Sequence, residues 1–223
     1  MKSFFFAFTR SAKEMSKVTA ICVTGMLMAL SIVFRSMLYI PISDDLRVTF
    51  AFIGSMAIAM LYGPSVGMVS AAGIDIIGYI LDGAKMREYN IWLLLVKMLM
   101  AAIVGLIMYR EKYGRVRLPA TIEKRLPPTV AEYSEIAVRA IISRAVVVFI
   151  GNIVLNSIVL YRSYTNPRFP FMSGSEWTAF KLWITPRITK NLIMFPVECA
   201  VSIILLPVIY LAYRQVFHRK KAV

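Results

Sequence analysis

The sequence predicts an all-α integral membrane protein: a bundle of six transmembrane helices with both termini in the cytoplasm. Three observations carry that expectation. Hydrophobic residues make up 59% of the 223 and mean hydropathy is +0.69, more apolar than a soluble domain with a solvated surface can sustain. A hydrocarbon core of about 30 Å takes roughly 20 helical residues per crossing, and six segments approach that length: Val18 to Leu38, Leu46 to Tyr62, Ser65 to Leu81, Ile91 to Tyr109, Ile136 to Tyr161 and Arg187 to Tyr213. The excess of basic residues, +14 overall, gathers in three places that six crossings put on one side. These are the N-terminus, the linker from Arg110 to Arg125 and the tail from Arg214. The positive-inside rule makes that side cytoplasmic. Helices satisfy their own backbone groups, and the alternating pattern of a barrel is absent.

Residues 1–17, "MKSFFFAFTRSAKEMSK", have too short an apolar run for a signal peptide and read as an amphipathic segment on the inner membrane surface. The first crossing carries Gly25 and Ala29, four apart, which allow another helix to approach closely, either inside the bundle or on a partner. Cys22 and Cys199 fall inside helices and read as small apolar fillers. The outer loop "YIPISDDLR" leads to the second crossing, and Gly63–Pro64 forces a tight inner turn into the third. Residues 110–135 form a charged linker with Pro127 and Pro128, expected to be partly extended. Residues 162–186 are the long outer loop, rich in Phe169, Phe171, Trp177, Phe180 and Trp183. Those rings fit either an interfacial belt or a lid over the bundle mouth, with Ser175 capping a short helix. Residues 214–223 are a basic tail.

The informative residues are the ionisable ones at membrane depth: Arg35, Asp75, Lys97, Arg144, Lys190 and Glu198. Each costs about 2.5–3.5 kcal/mol to insert at mid-bilayer, so each needs a partner or a purpose. Asp75 lies ten residues, about 15 Å, into the third helix, with Tyr79 one turn further out. Ala71, Ala72 and Gly78 flank it and suggest close packing against another helix. In the fourth helix Asn90 stands near the outer surface and Lys97 about 10 Å deeper. The fifth offers Asn152 and Asn156 on one face. In the sixth, Thr185 and Pro186 look like a cap and first turn, and Arg187, Lys190, Asn191, Met194 and Glu198 follow in a polar stripe. A helix N-terminus beside two cations suits an anionic ligand.

Two readings stay open. The polar groups either line a cavity in the outer half or pair with one another, Asp75 with Lys97 and Glu198 with Arg144. Uncharged amides and clustered cations favour the cavity, while Glu198, deeper, is better explained by pairing. No Walker-type loop is present, and the single histidine, His218, sits in the basic tail. Nucleotide binding by this chain, histidine-based catalysis and histidine-rich metal sites are therefore not expected, nor is any cofactor. Ser31, Ser70 and Ser143 more simply bond their own helices.

Three stretches resemble a known family, the substrate-binding S components of energy-coupling-factor (ECF) vitamin transporters, most closely the folate-specific branch. They are "PISDDLRVTFAFIGSMAIAMLYGPSVGMVSAAGIDIIGYIL", with its Leu-Arg, Gly-Pro and Asp-x-x-Gly-Tyr; "NIVLNSIVL"; and "PRITKNLIMFPVE". The resemblance implies capture of folate or a related small vitamin in the outer half, under the loop that carries Arg47. It also implies transport with a transmembrane coupling subunit and two cytoplasmic ATPases in a bacterial cell membrane. Gly25 and Ala29 match the family's small-residue motif for docking the coupling subunit. The candidate binding set is thus Arg47, Asp75, Tyr79, Asn90, Lys97, Asn152, Asn156, Arg187, Lys190 and Asn191. A stand-alone secondary carrier of a small anion and a membrane scaffold are the alternatives.

Overall fold

The computed structural model describes residues 2–36, 39–43, 46–81, 89–109, 128–167, 170 and 174–218. In chain order these form α1 (Lys2–Glu14), α2 (Val18–Ser36), an antiparallel hairpin of β1 (Tyr39–Ser43) and β2 (Leu46–Thr49), α3 (Phe52–Tyr62), α4 (Pro64–Leu81) and α5 (Ile91–Met108). A last long pair follows. α6 (Pro128–Val146) runs through a π-helical stretch, Val147–Asn156, into α7 (Ser157–Tyr164), and α8 spans Gly174–His218. Most of the expected linker, 110–127, lies outside the described residues, and its end, from Pro128, is already helix.

Five of the described helical stretches are long and apolar enough to cross a membrane. The segment expected as the second crossing, Leu46 to Tyr62, is not one helix. Its first residues are strand β2, and α3 has 11 residues, about 16 Å at 1.5 Å per residue. The physical reason is burial. α3 contributes Met56, Ala57, Ala59 and Met60 to a core completed by Val104 and Met108 of α5, Ile136 and Ala140 of α6 and Leu206 of α8. On its other side Ile58 and Tyr62 pack with Ala20, Val66 and Ile74 of α2 and α4. Its neighbours among the described residues are protein on both sides, so its apolar character reports packing between helices.

The sixth expected crossing also differs. Residues 174–186, read as outer loop, are helical, and α8 continues without a break through Pro186, Pro196 and Pro207. Thr185 does not cap. Its hydroxyl donates back to the Lys181 carbonyl (2.7 Å), and Thr189 donates to that of Thr185 (3.0 Å), the bonding of threonines inside a helix. Packing holds the extra turns: Phe180 and Trp183 meet the Tyr161 ring at 4.8 and 5.2 Å between centroids, and Trp177 meets Phe180 at 5.9 Å. Ser175 lies within the helix. Phe169 and Phe171 lie outside the described residues.

One end of the bundle is fastened by a serine. Gly63 adopts φ +87°, which the turn between α3 and α4 requires. The fully buried Ser11 of α1 sits in that turn. Its hydroxyl donates to the Tyr62 carbonyl (2.6 Å) and accepts from the amides of Ser65 (3.0 Å) and Val66 (3.2 Å). Ser65 returns a bond to the Phe8 carbonyl (2.8 Å). Ser11 thus satisfies end groups of both α3 and α4, which lack intrahelical partners, and ties α1 to that end. Tyr213 of α8 reaches the same place, its ring 5.8 Å from that of Tyr62. Ser11→Ala should therefore destabilise the protein by about 1–3 kcal/mol, seen as a lower melting temperature in detergent. An unchanged melting temperature would show that α1 is held by other contacts.

Candidate functional site

A cavity of about 390 Å³ opens between α2, α3, α4, α5, α6, the π-helical stretch and α8. Its charged lining comprises Arg35, Asp75, Lys97, Arg144 and Glu198. Three cations against two carboxylates leave one net positive charge. Asn152 and Asn156 add amides, and Phe52 and Ser55 of α3 complete the wall.

Asp75 is 7% exposed and organises one side of the cavity. Its carboxylate pairs with Lys97 of α5, lies 3.8 Å from the Arg35 guanidinium of α2 and accepts from the Tyr89 hydroxyl (3.4 Å). Arg35 can lie across α4 because residue 78 is glycine: a Cβ there would collide with the guanidinium. The small face around Asp75, expected to receive another helix, therefore receives a side chain at Gly78. Tyr89, just ahead of α5, has its phenol pushed above the ordinary value by desolvation, then by the charge of Asp75 and the hydrogen bond to it. It remains protonated and a donor.

On the other side Arg144 of α6 pairs with Glu198 of α8. Arg144 is 3% exposed, and its guanidinium lies 4.1 Å over the Phe52 ring. The two ion pairs weighed against a cavity in the sequence both exist, and both are part of its wall. Pairing and lining are the same residues in two roles.

The π-helical stretch places the amides. Its i→i+5 turns are wider than those of an α-helix, so Val147, Gly151–Asn152 and Asn156, four to five residues apart, all reach the cavity. Asn152 also donates to the Asn191 side chain of α8 (3.4 Å).

Of the ten candidate binding residues, the structure brings Asp75, Lys97, Asn152 and Asn156 to this cavity. Asn191 stands just behind Asn152, with its own amide donating to the Arg187 carbonyl (2.8 Å). Tyr79 is not in the lining. Its ring packs edge-on against Tyr89 at 5.0 Å and supports the donor to Asp75. Asn90 is the N-cap of α5, accepting from the Trp92 amide (2.9 Å), a role that occupies its side chain. Arg187 and Lys190 are also outside the lining. Arg187 lies over the Trp183 ring at 4.2 Å, and with α8 unbroken there is no helix N-terminus beside them to hold an anion. The Arg47 side chain lies outside the described residues. Lining residues left out of the candidate set include Arg35, Arg144 and Glu198, which their membrane depth had flagged, and Phe52, which nothing local distinguishes.

Gly25 and Ala29 both lie on the exposed face of α2. A Cβ on Gly25 would meet open space, so among the described residues the pair makes no internal helix contact. Val18, Ile21 and Met26 on the same helix are more than half exposed. Among the described residues no group of three or more His, Cys, Asp or Glu side chains is placed to hold a metal ion.

Comparison with known proteins agrees with the fold. Residues 19–210 match the family model described as "ECF transporter, substrate-specific component". The chain is 32% identical over 185 residues to the "Folate transporter FolT" of Leuconostoc mesenteroides, covering 82% of this chain and 81% of that one. A crystal structure of FolT bound with folic acid shares the fold at a TM-score of 0.58 and 22% identity, over 83% of this chain and 90% of that one. With most of its length matched, the chain belongs to the family of substrate-specific components of ECF transporters, multi-pass proteins of the bacterial cell membrane.

Proposed function

We propose that this chain captures folate, or a closely related vitamin, in the cavity between Asp75–Lys97 and Arg144–Glu198, and that its role is transport and not catalysis. The observation that carries the reading is the composition of that cavity. It has room for a small ligand, a surplus of positive charge for an acidic group, amides for polar recognition and an aromatic ring for a flat one. The relative from Leuconostoc mesenteroides is a folate transporter by name, and the crystal structure that shares the fold holds folic acid.

Import then proceeds with a transmembrane coupling subunit and ATPases, the partners of ECF substrate-specific components. The end where Ser11, Gly63 and Tyr213 meet faces the cytoplasm in this reading, with Arg10, Lys13 and Arg214 nearby in sequence, consistent with the positive-inside rule. Asp75, Lys97, Asn152 and Asn156 contact the vitamin directly, and Asn191 and Tyr79 hold their neighbours in place. The exposed Gly25–Ala29 face of α2 docks the coupling subunit, small residues allowing close helix approach.

The purified protein alone, without ATP, should be stabilised by folic acid, by about 2.7 kcal/mol at a hundredfold excess over Kd, with a change in tryptophan fluorescence. No response to folic acid or to any member of a vitamin panel would contradict the reading. Ala29→Trp should leave folic acid binding unchanged and abolish uptake in cells that supply the coupling subunit and ATPases. Normal uptake by that variant would remove α2 as the docking face.

A further inference from the structure

We infer that a separate cavity, on the lipid-facing side of the bundle, binds the phosphate head of an anionic phospholipid. The cavity, about 460 Å³, lies between the start of α5 and the end of α7 and is lined by Trp92, Ile158, Val159, Arg162, Ser163 and Pro167. None of these residues lines the cavity that holds Asp75 and Glu198. Gly105, near the far end of α5, lies against Pro64, so Trp92, thirteen residues earlier, stands about 20 Å from the turn that Ser11 fastens. The cavity is therefore at the opposite end of the bundle, the outer end in the orientation proposed above. Trp92, Leu95 and Leu99 are all exposed and share one face of α5 at i, i+3, i+7 spacing. In a membrane protein that apolar face meets lipid.

The lining is ordered by depth as a phospholipid is. Arg162 and Ser163 follow Ile158 and Val159 by one helical turn, so α7 sets two polar side chains about 6 Å outward of two apolar ones on the same face. A soluble anion has no use for the apolar pair, whereas a phospholipid carries its phosphate above its glycerol and acyl chains. Among the described residues no carboxylate pairs with Arg162. Nor does the Ser163 hydroxyl make a hydrogen bond among them, although Ser31 and Ser202 each donate to the carbonyl four residues back. Trp92 is 63% exposed, the placing of an interfacial tryptophan, and its indole N–H has no partner among the described residues. Guanidinium, hydroxyl and indole are three donors suited to phosphate oxygens. The lining holds no carboxylate to receive a head-group ammonium, so it favours an anionic head over a zwitterionic one. Arg162 also lies in the last turn of α7, where a cation complements the helix dipole. That role requires neither the cavity nor the tryptophan.

The experiment measures lipid binding to the purified protein by native mass spectrometry, with melting temperature in detergent followed in parallel. The wild-type protein should hold its first phosphatidylglycerol about fivefold more tightly than phosphatidylcholine. Arg162→Gln should weaken phosphatidylglycerol by about fivefold, while Lys220→Gln, the same loss of charge in the basic tail, should change it by less than about twofold. Should Arg162→Gln prevent folding, Trp92→Leu keeps an apolar side chain on an exposed face and should also weaken the lipid; no loss in that variant would overturn the inference. Equal effects of Arg162→Gln and Lys220→Gln would place the lipid at the basic cytoplasmic surface instead. A lower melting temperature for Arg162→Gln with unchanged lipid affinity would leave Arg162 only its dipole role. Equal affinity for the two lipids would remove the anionic selectivity, and glycerol 3-phosphate competing as well as the lipid would make the occupant a free phosphate. Each of these results would overturn the inference without touching the folate reading.

Discussion

The site depends on a carboxylate held at membrane depth in α4. Burying an ion costs several kcal/mol even after relaxation, and Asp75 meets that cost by drawing Lys97 from α5 and Arg35 from α2 to one point. Three helices are thereby registered at one level, as intramembrane polar groups register helices that no hydrophobic effect can align in lipid. The same clustering leaves two cations around one anion on the wall of a cavity. Stability and ligand recognition are thus not separate demands on these residues. What compensates Asp75 also presents positive charge to a ligand. The residue that makes this arrangement possible is Gly78, one turn along, whose missing Cβ gives the Arg35 guanidinium its seat.

The second pair uses the same physics differently. Arg144 and Glu198 neutralise each other between α6 and α8, and Phe52 from the short central helix packs under the guanidinium. α3 can sit there because it is buried by protein on both sides. The π-helical stretch between α6 and α7 then brings the asparagines to the same cavity, an irregularity of the kind often found at functional sites. Core, cavity and polar wall are built from one set of helix contacts.

Much of this was legible in the sequence, for identifiable reasons. The apolar runs of α2, α4, α5 and α6–α7 are long, and depth counted along them put Asp75 level with Lys97 and Glu198 within reach of Arg144. Hydropathy could not show that the helix of this segment is short and starts only at Phe52, because a helix surrounded by protein and one surrounded by lipid have the same composition. Thr185–Pro186 carried the local signature of a helix start, and tertiary packing of Trp177, Phe180 and Trp183 on Tyr161 overrode it. Asn90 lay at the right depth but capped its own helix. The place of Phe52 was not readable, since only the fold brings its ring under Arg144.

The most direct test of the account is folic acid affinity in the variant Lys97→Met, measured beside its melting temperature. The substitution removes one cation from the cavity wall, while Arg35 and Tyr89 still hold Asp75. The account predicts an affinity loss of at least tenfold, about 1.4 kcal/mol, with only a small drop in melting temperature. Undiminished affinity, or a loss of binding that merely tracks unfolding, would contradict it.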